Sequence, residues 1–167
     1  ANGTTNVRHT INGNAGNDVF TINAITSFTN SNINGGAGND SVTASSSTVG
    51  IVANGDAGTD TFTGGAGADL FSGGVGNDQF SGGTGADTLN GNAGDDIFTF
   101  ASTASATGDT LTGGNTSETN GDTVVITGAA SLAGITNTTL RDSGQIENVR
   151  IDGAIIATFN GSQLHSQ

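Results

Sequence analysis

The chain of 167 residues contains no Cys, Pro, Lys, Met, Trp or Tyr. Without Cys there is no disulfide framework, no thiolate metal site and no cysteine nucleophile. Without Pro the chain is neither collagen-like nor a proline-rich linker. Positive charge is nearly missing too: three Arg face 15 acidic residues, for a net charge of −12. That removes the basic footprint that nucleic-acid binding requires, and any attraction to an anionic membrane surface. No apolar run approaches the roughly 18 residues of a membrane span, so no membrane insertion is expected. No basic start followed by an apolar core appears at Ala1, so an export signal is expected to be of another type or to lie outside this sequence. Large apolar residues are scarce: Ile, Leu, Val and Phe make up about 21% of the chain, near the limit below which a charged chain cannot fold by burial alone.

What the chain has instead is Gly, 29 residues of it, and acid. An acidic surface can simply keep a protein soluble, or it can recruit cations; the placement of the Asp residues decides. From Gly55 to Thr99 the sequence divides without gaps into five nonapeptides, GDAGTDTFT, GGAGADLFS, GGVGNDQFS, GGTGADTLN and GNAGDDIFT. The same pattern occurs earlier as GNAGNDVFT from Gly13 and GGAGNDSVT from Gly35. Each copy has Gly at positions 1 and 4, Asp at position 6 and a large apolar residue at position 8. Position 2 is Gly, Asn or Asp.

The apolar residue therefore returns once every nine positions, at Phe62, Phe71, Phe80, Leu89 and Phe98. No helix has that period, and a half-buried hairpin strand would alternate over several residues. Asn-Gly pairs such as Asn34-Gly35 and Asn54-Gly55 are hairpin signals, but about three residues per strand are too few for hairpins. A solenoid accounts for the pattern better: six residues turn, three form a short strand, and the apolar residue points inward. Repeats of this kind stack and share one core.

The motif GGxGxDxUx, present seven times, resembles the calcium-binding nonapeptide of the RTX (repeats-in-toxin) family. The clear resemblance runs from Gly13 to Thr99 with two interruptions. It implies an all-β fold, a right-handed parallel β-roll solenoid of nine-residue half-turns in which two nonapeptides make one coil. It also implies calcium between the turns of neighbouring coils.

With two nonapeptides per coil, alternate repeats stack on the same side. Asp60, Asp78 and Asp96 then share one column, and Asp69 and Asp87 share another. Asp18 and Asp40 join the first. The step from Asp18 to Asp40 is four positions longer than two nonapeptides, and the step from Asp40 to Asp60 is two positions longer. Each is one coil with a small insertion. The segments Ile22 to Asn34 and Ala44 to Asn54 must make the opposite turns. They carry no motif Asp, so the second column should be metal-free there, with Ile33 and either Ile51 or Val52 as the inward strand residues. Downstream, Asp109 continues the second column and Asp122 the first, but their stretched loops leave metal binding open at both. An ordinary Asx turn is the competing reading of such aspartates.

Calcium takes about 6–8 oxygen ligands at roughly 2.3–2.6 Å, whereas magnesium prefers a tighter octahedron with retained water; thiolate and imidazole metals lack ligands here. The resemblance implies that each ion takes a carboxylate oxygen from two stacked Asp residues and main-chain carbonyls from both turns. Those carbonyls belong to Gly35, Gly36 and Gly38; to Gly55, Asp56 and Gly58; to Gly64, Gly65 and Gly67; to Gly73, Gly74 and Gly76; to Gly82, Gly83 and Gly85; and to Gly91, Asn92 and Gly94. Counting neighbours gives five to seven Ca2+ ions, and six would cancel the formal charge of −12. Without metal, stacked carboxylates repel and the small core cannot compensate.

The expected organisation is a lead-in strand over 1–12, calcium-binding repeats over 13–99, degenerate repeats over 100–127, and a C-terminal β cap or metal-free continuation over 128–167. Thr123 to Gly128 reads as a longer strand, and Ile146 to Ile156 as two strands around an Asp152-Gly153 turn. His9 and His165 are single and far apart, and read as surface residues. No G-x-S-x-G elbow or H-E-x-x-H helix occurs, so no enzyme is expected. The composition suits a secreted structural module at a bacterial cell surface, in a surface layer, adhesin or filament that self-assembles or meets other surface components. The alternative that the resemblance implies is the accessory domain of a type I-exported protease, lipase or toxin.

Overall fold

In the computed structural model the described residues are 10–23, 32–102, 106–128 and 146–152. They form two parallel sheets facing one another. The first contains β1 (Thr10–Ala15), β3 (Asn32–Ala37), β5 (Val52–Ala57), β7 (Leu70–Val75), β9 (Thr88–Ala93) and β11 (Thr110–Thr116), in that order. The second contains β2 (Val19–Thr21), β4 (Ser41–Thr43), β6 (Thr61–Thr63), β8 (Gln79–Ser81), β10 (Ile97–Phe100), β12 (Asp122–Ile126) and β13 (Ile146–Ile151). From β1 to β12 the chain alternates between sheets strand by strand, so one strand of each makes a coil. This is a β-solenoid of the β-roll kind. Among the described residues no helix is long and apolar enough to cross a membrane.

The register follows the repeat arithmetic. Thr10 pairs with Asn32, Asn32 with Val52, Val52 with Leu70 and Leu70 with Thr88. From the second coil onward the inward residue is buried: Ile33, Ala53, Phe71, Leu89 and Leu111 from the first sheet, Val42, Phe62, Phe80, Phe98 and Val124 from the second, while at the first coil Ile11 is exposed and Phe20 half-buried. Phe80 stacks between Phe62 and Phe98, with ring centroids 5.1 and 5.0 Å apart. That spacing is one strand-to-strand step, so rings on successive coils stack because the backbone ladder sets them at stacking distance.

Two details depart from the sequence expectation. A three-residue strand after each six-residue turn describes most of the second sheet, but strands of the first sheet run to six residues or more, into the next turn. The position-3 carbonyl on that side is held by the preceding coil: Gly38 N–H donates to Ala57 O at 2.8 Å, Gly58 N–H to Val75 O at 2.9 Å and Gly76 N–H to Ala93 O at 2.7 Å. The turn thus stays in the ladder for three residues before it bends. Second, the strand residue between Ile33 and Phe71 in the core is Ala53, neither Ile51 nor Val52. Ile51 is buried, but it stands one coil before Asp69, where a motif turn would carry Asp. The strand expected from Ile146 is present as β13, which extends the second sheet by pairing in parallel with β12. The second strand expected after Asp152-Gly153, and both His residues, lie outside the described residues.

Candidate metal centre

Each column is a hydrogen-bonded ladder. The main-chain N–H of Asp18 donates to Asp40 Oδ1 at 2.8 Å, Asp40 to Asp60 at 2.7 Å, Asp60 to Asp78 at 2.8 Å, Asp78 to Asp96 at 2.7 Å and Asp96 to Asp122 at 2.8 Å. On the other side Asp69 N–H donates to Asp87 Oδ1 and Asp87 N–H to Asp109 Oδ1, both at 2.8 Å. Every aspartate predicted from the repeats lies in its predicted column. Asp109 and Asp122 are aligned despite coils of 22 and 26 residues.

Oδ1 is spent on this ladder; Oδ2 is aimed elsewhere. In Asp18, Asp40, Asp60, Asp78, Asp87 and Asp96 it is buried with no hydrogen-bond partner. A buried, unsatisfied carboxylate oxygen is costly and calls for a cation or a proton. It faces the first Gly of its own turn: a Cβ on Gly35, Gly55, Gly73, Gly82 or Gly91 would overlap Oδ2 of Asp40, Asp60, Asp78, Asp87 or Asp96 respectively. The missing side chain leaves room for Oδ2 itself.

Main-chain oxygens of neighbouring turns lie close to these glycines. Between the Asp60 and Asp78 turns, Gly73 O and Asp60 Oδ2 both lie against the Cβ position of Gly55, Asp56 O lies against that of Gly74, and Gly58 O against that of Gly76. These carbonyls belong to positions 1, 2 and 4 of their repeats. Asp56 and Asn92 hold position 2 at φ 74° and 80°, a left-handed conformation that Gly, Asn and Asp adopt most readily. This accounts for the three residue types found there. Among the described residues no three His or acidic side chains cluster. The arrangement is instead two carboxylates with several carbonyls, an all-oxygen set of the kind calcium prefers.

Burial away from water pushes the carboxyls of Asp78, Asp96 and Asp109 up to about 7, and that of Asp69 to about 6. It also raises Asp60 and Asp87. The main-chain N–H on Oδ1 pulls back against this only in part. Asp95 goes the other way: exposed, and accepting main-chain N–H groups from Thr119, Asn120 and Gly121, it is held below the usual carboxylate range.

The second column begins differently from the first. Ile51 N–H donates to Asp69 Oδ1 at 2.7 Å, as an aspartate would, but Ile51 brings no carboxylate. Asp69 Oδ2 accepts the N–H of Gly65 at 3.1 Å. The apolar side chain at the Asp position thus leaves the turn before Asp69 without an acidic ligand, as the lack of a motif there predicts.

A further ladder escaped the sequence reading. At position 5 of the first column, Asn17 Oδ1 accepts Asn39 N–H at 2.9 Å, Asn39 Oδ1 accepts Thr59 N–H at 3.0 Å, and Asn77 Oδ1 accepts Asp95 N–H at 3.0 Å. Its signal was present: position 5 is Asn or Asp in four of the five first-column repeats, and Ala68 or Ala86 in the second.

The profile of the RTX calcium-binding nonapeptide repeat matches in four copies, at residues 10–21, 27–47, 52–80 and 72–102. No curated protein and no solved structure matches the chain. The matched segments cover half of the sequence and coincide with the stacked turns, and the chain belongs to the RTX calcium-binding nonapeptide-repeat family.

Proposed function

We propose that this chain is a secreted structural module of a bacterial cell-surface protein, and that it stiffens when calcium fills the intervals of both columns. The first column offers five intervals (18/40, 40/60, 60/78, 78/96 and 96/122) and the second two (69/87 and 87/109), for seven ions in all. The observation that carries this reading is the division of labour within Asp40, Asp60, Asp78, Asp87 and Asp96: Oδ1 holds the neighbouring coil while Oδ2 is buried without a hydrogen-bond partner against the first Gly of its turn. Calcium there would supply the positive charge that buried carboxylates lack, so metal binding and folding are one equilibrium. The module has no catalysis of its own on this reading, and its partners are copies of itself or other surface components.

Calcium titration with circular dichroism tests it. The calcium-stripped chain should be largely disordered near pH 7.5, and β signal should return with about seven ions bound. A spectrum and melting curve indifferent to calcium would sink the proposal. So would hydrolase activity of the purified chain that a single substitution abolishes while calcium binding stays intact, because the role would then be enzymatic. Calcium-dependent assembly into sheets or filaments is the outcome that supports a structural role over an accessory one.

A further inference from the structure

The last turn of the first column is stretched. Gly113 to Asp122 spans ten residues where Gly91 to Asp96 spans six. Both ends nevertheless keep the geometry of the regular turns. A Cβ on Gly113 would overlap Asp122 Oδ2, and Asp122 Oδ1 accepts the Asp96 N–H at 2.8 Å.

The surplus is gathered at one side chain. Asp95 Oδ1 accepts the main-chain N–H of Thr119 at 2.7 Å and of Gly121 at 3.0 Å. The N–H of Asn120 reaches both oxygens, at 3.0 and 3.1 Å, and the Asn120 side-chain amide donates to Oδ2 at 3.1 Å. Three successive main-chain N–H groups turned onto one carboxylate make an anion nest. At the same position one coil earlier, Asn77 accepts a single N–H. An amide would not serve at Asp95. Both oxygens are in use, and an Asn would turn its NH2 onto the donors of Asn120.

We infer that Asp95 is a positioning residue for the calcium interval shared by Asp96 and Asp122: it folds the surplus loop against the roll and so delivers Asp122 to its column without ligating the metal. Asp95 and Asp96 hold the loop at adjacent points, Asp95 through Gly121 N–H and Asp96 through Asp122 Oδ1. The inference rests on reading 96/122 as a calcium interval.

Calcium titration calorimetry on the whole chain separates the two. Asp122→Ala should remove one ion; if it removes none, the reading of that interval fails, and this inference with it. Given that loss, Asp95→Asn should weaken one ion by about tenfold, the usual size of an outer-shell defect, and leave the others unchanged. Asn120→Asp adds a negative charge beside the site. A purely electrostatic role for Asp95 predicts tighter calcium binding in that variant, whereas repulsion between the facing carboxylates predicts about the same tenfold weakening. The double variant Asp95→Asn, Asn120→Asp restores a donor facing an acceptor and should recover part of the loss. Asp152→Asn, which removes an exposed charge paired with Arg150, should change nothing. Should Asp95→Asn fail to fold, Asn120→Asp decides alone. Wild-type binding in both single variants, or tighter binding in Asn120→Asp, would overturn the inference.

Discussion

The main-chain N–H of Asp60 donates to Oδ1 of Asp78 at 2.8 Å, across 18 residues of sequence. One carboxylate thereby acts twice. It spaces the coils through Oδ1, and it presents Oδ2 to the interval between them. The link needs no metal, so the column can be aligned before calcium arrives, while the buried Oδ2 atoms make the aligned empty column unstable at neutral pH.

The proton is the competitor for those oxygens, and two opposite pH dependences result. Asp78, Asp96 and Asp109, raised from an ordinary value of 3.8 to about 7, hold a proton in the metal-free fold where the unfolded chain has lost it. The stability of the metal-free fold therefore falls as pH rises from about 4 to about 7 and is lowest above that. The calcium-stripped chain should show more β signal by circular dichroism near pH 5 than near pH 8. Calcium affinity should run the other way, weakening as pH drops below about 7. A stripped chain equally disordered at both pH values would contradict this.

Asp78 borders two intervals, and Asp18 borders one among the described residues. Asp78→Ala removes the acceptor for Asp60 N–H together with a carboxylate for the intervals on either side. It should cost up to two ions and split the stack. Asp18→Ala should cost one ion and leave the rest of the roll intact. Equal stoichiometry for the two variants in calorimetric titration would rule out the two-column register.

Gly73→Ala isolates the space beside Oδ2. Gly73 does not have positive φ, so alanine is not strained there, but its Cβ would overlap Oδ2 of Asp78. The expected cost is about 1–3 kcal/mol in the calcium-loaded state, the range for overpacking, with weakened binding at that interval. Gly74→Ala adds strain at φ 118° and should be worse. If Gly73→Ala matches wild type in melting and in calcium affinity, the space is not used.

Phe80→Ala tests the small core. Phe80 is fully buried between Phe62 and Phe98, and each strand supplies about one such side chain. A loss of about 3–5 kcal/mol is expected on the scale of buried Phe truncations. Denaturant melts in saturating calcium measure it. A cost well under that range would mean that metal, and not the aromatic stack, carries the loaded fold.

Much of the site was legible because a turn's chemistry is local. Gly at positions 1 and 4, Asp at 6 and an apolar residue at 8 are demanded within a single nonapeptide, so seven copies reveal the coil. The slightly lengthened steps from Asp18 to Asp40 and from Asp40 to Asp60 then suffice to place both in the first column. The split between Oδ1 and Oδ2 was not legible, because it depends on the N–H of another coil. Nor was the Asn17–Asn39–Thr59 ladder: those residues lie a full coil apart and recognise one another only once stacked.

The nonapeptide repeat and a solenoid follow from residue types at fixed short spacing, while the parallel coil, the two acidic columns and the oxygen donor set came from the resemblance of that repeat to the RTX family. Tertiary structure alone decided three things. It put Ile51 where an aspartate would start the second column. It extended the first-sheet strands into their turns, and it gathered the surplus of the 26-residue coil before Asp122 at the Asp95 carboxylate. Each depends on which backbone groups of one coil meet the next. An insertion lengthens the chain between them without changing any local signal, and only the stacking geometry, here with Asp95 drawing in the surplus loop, determines how the added length is taken up.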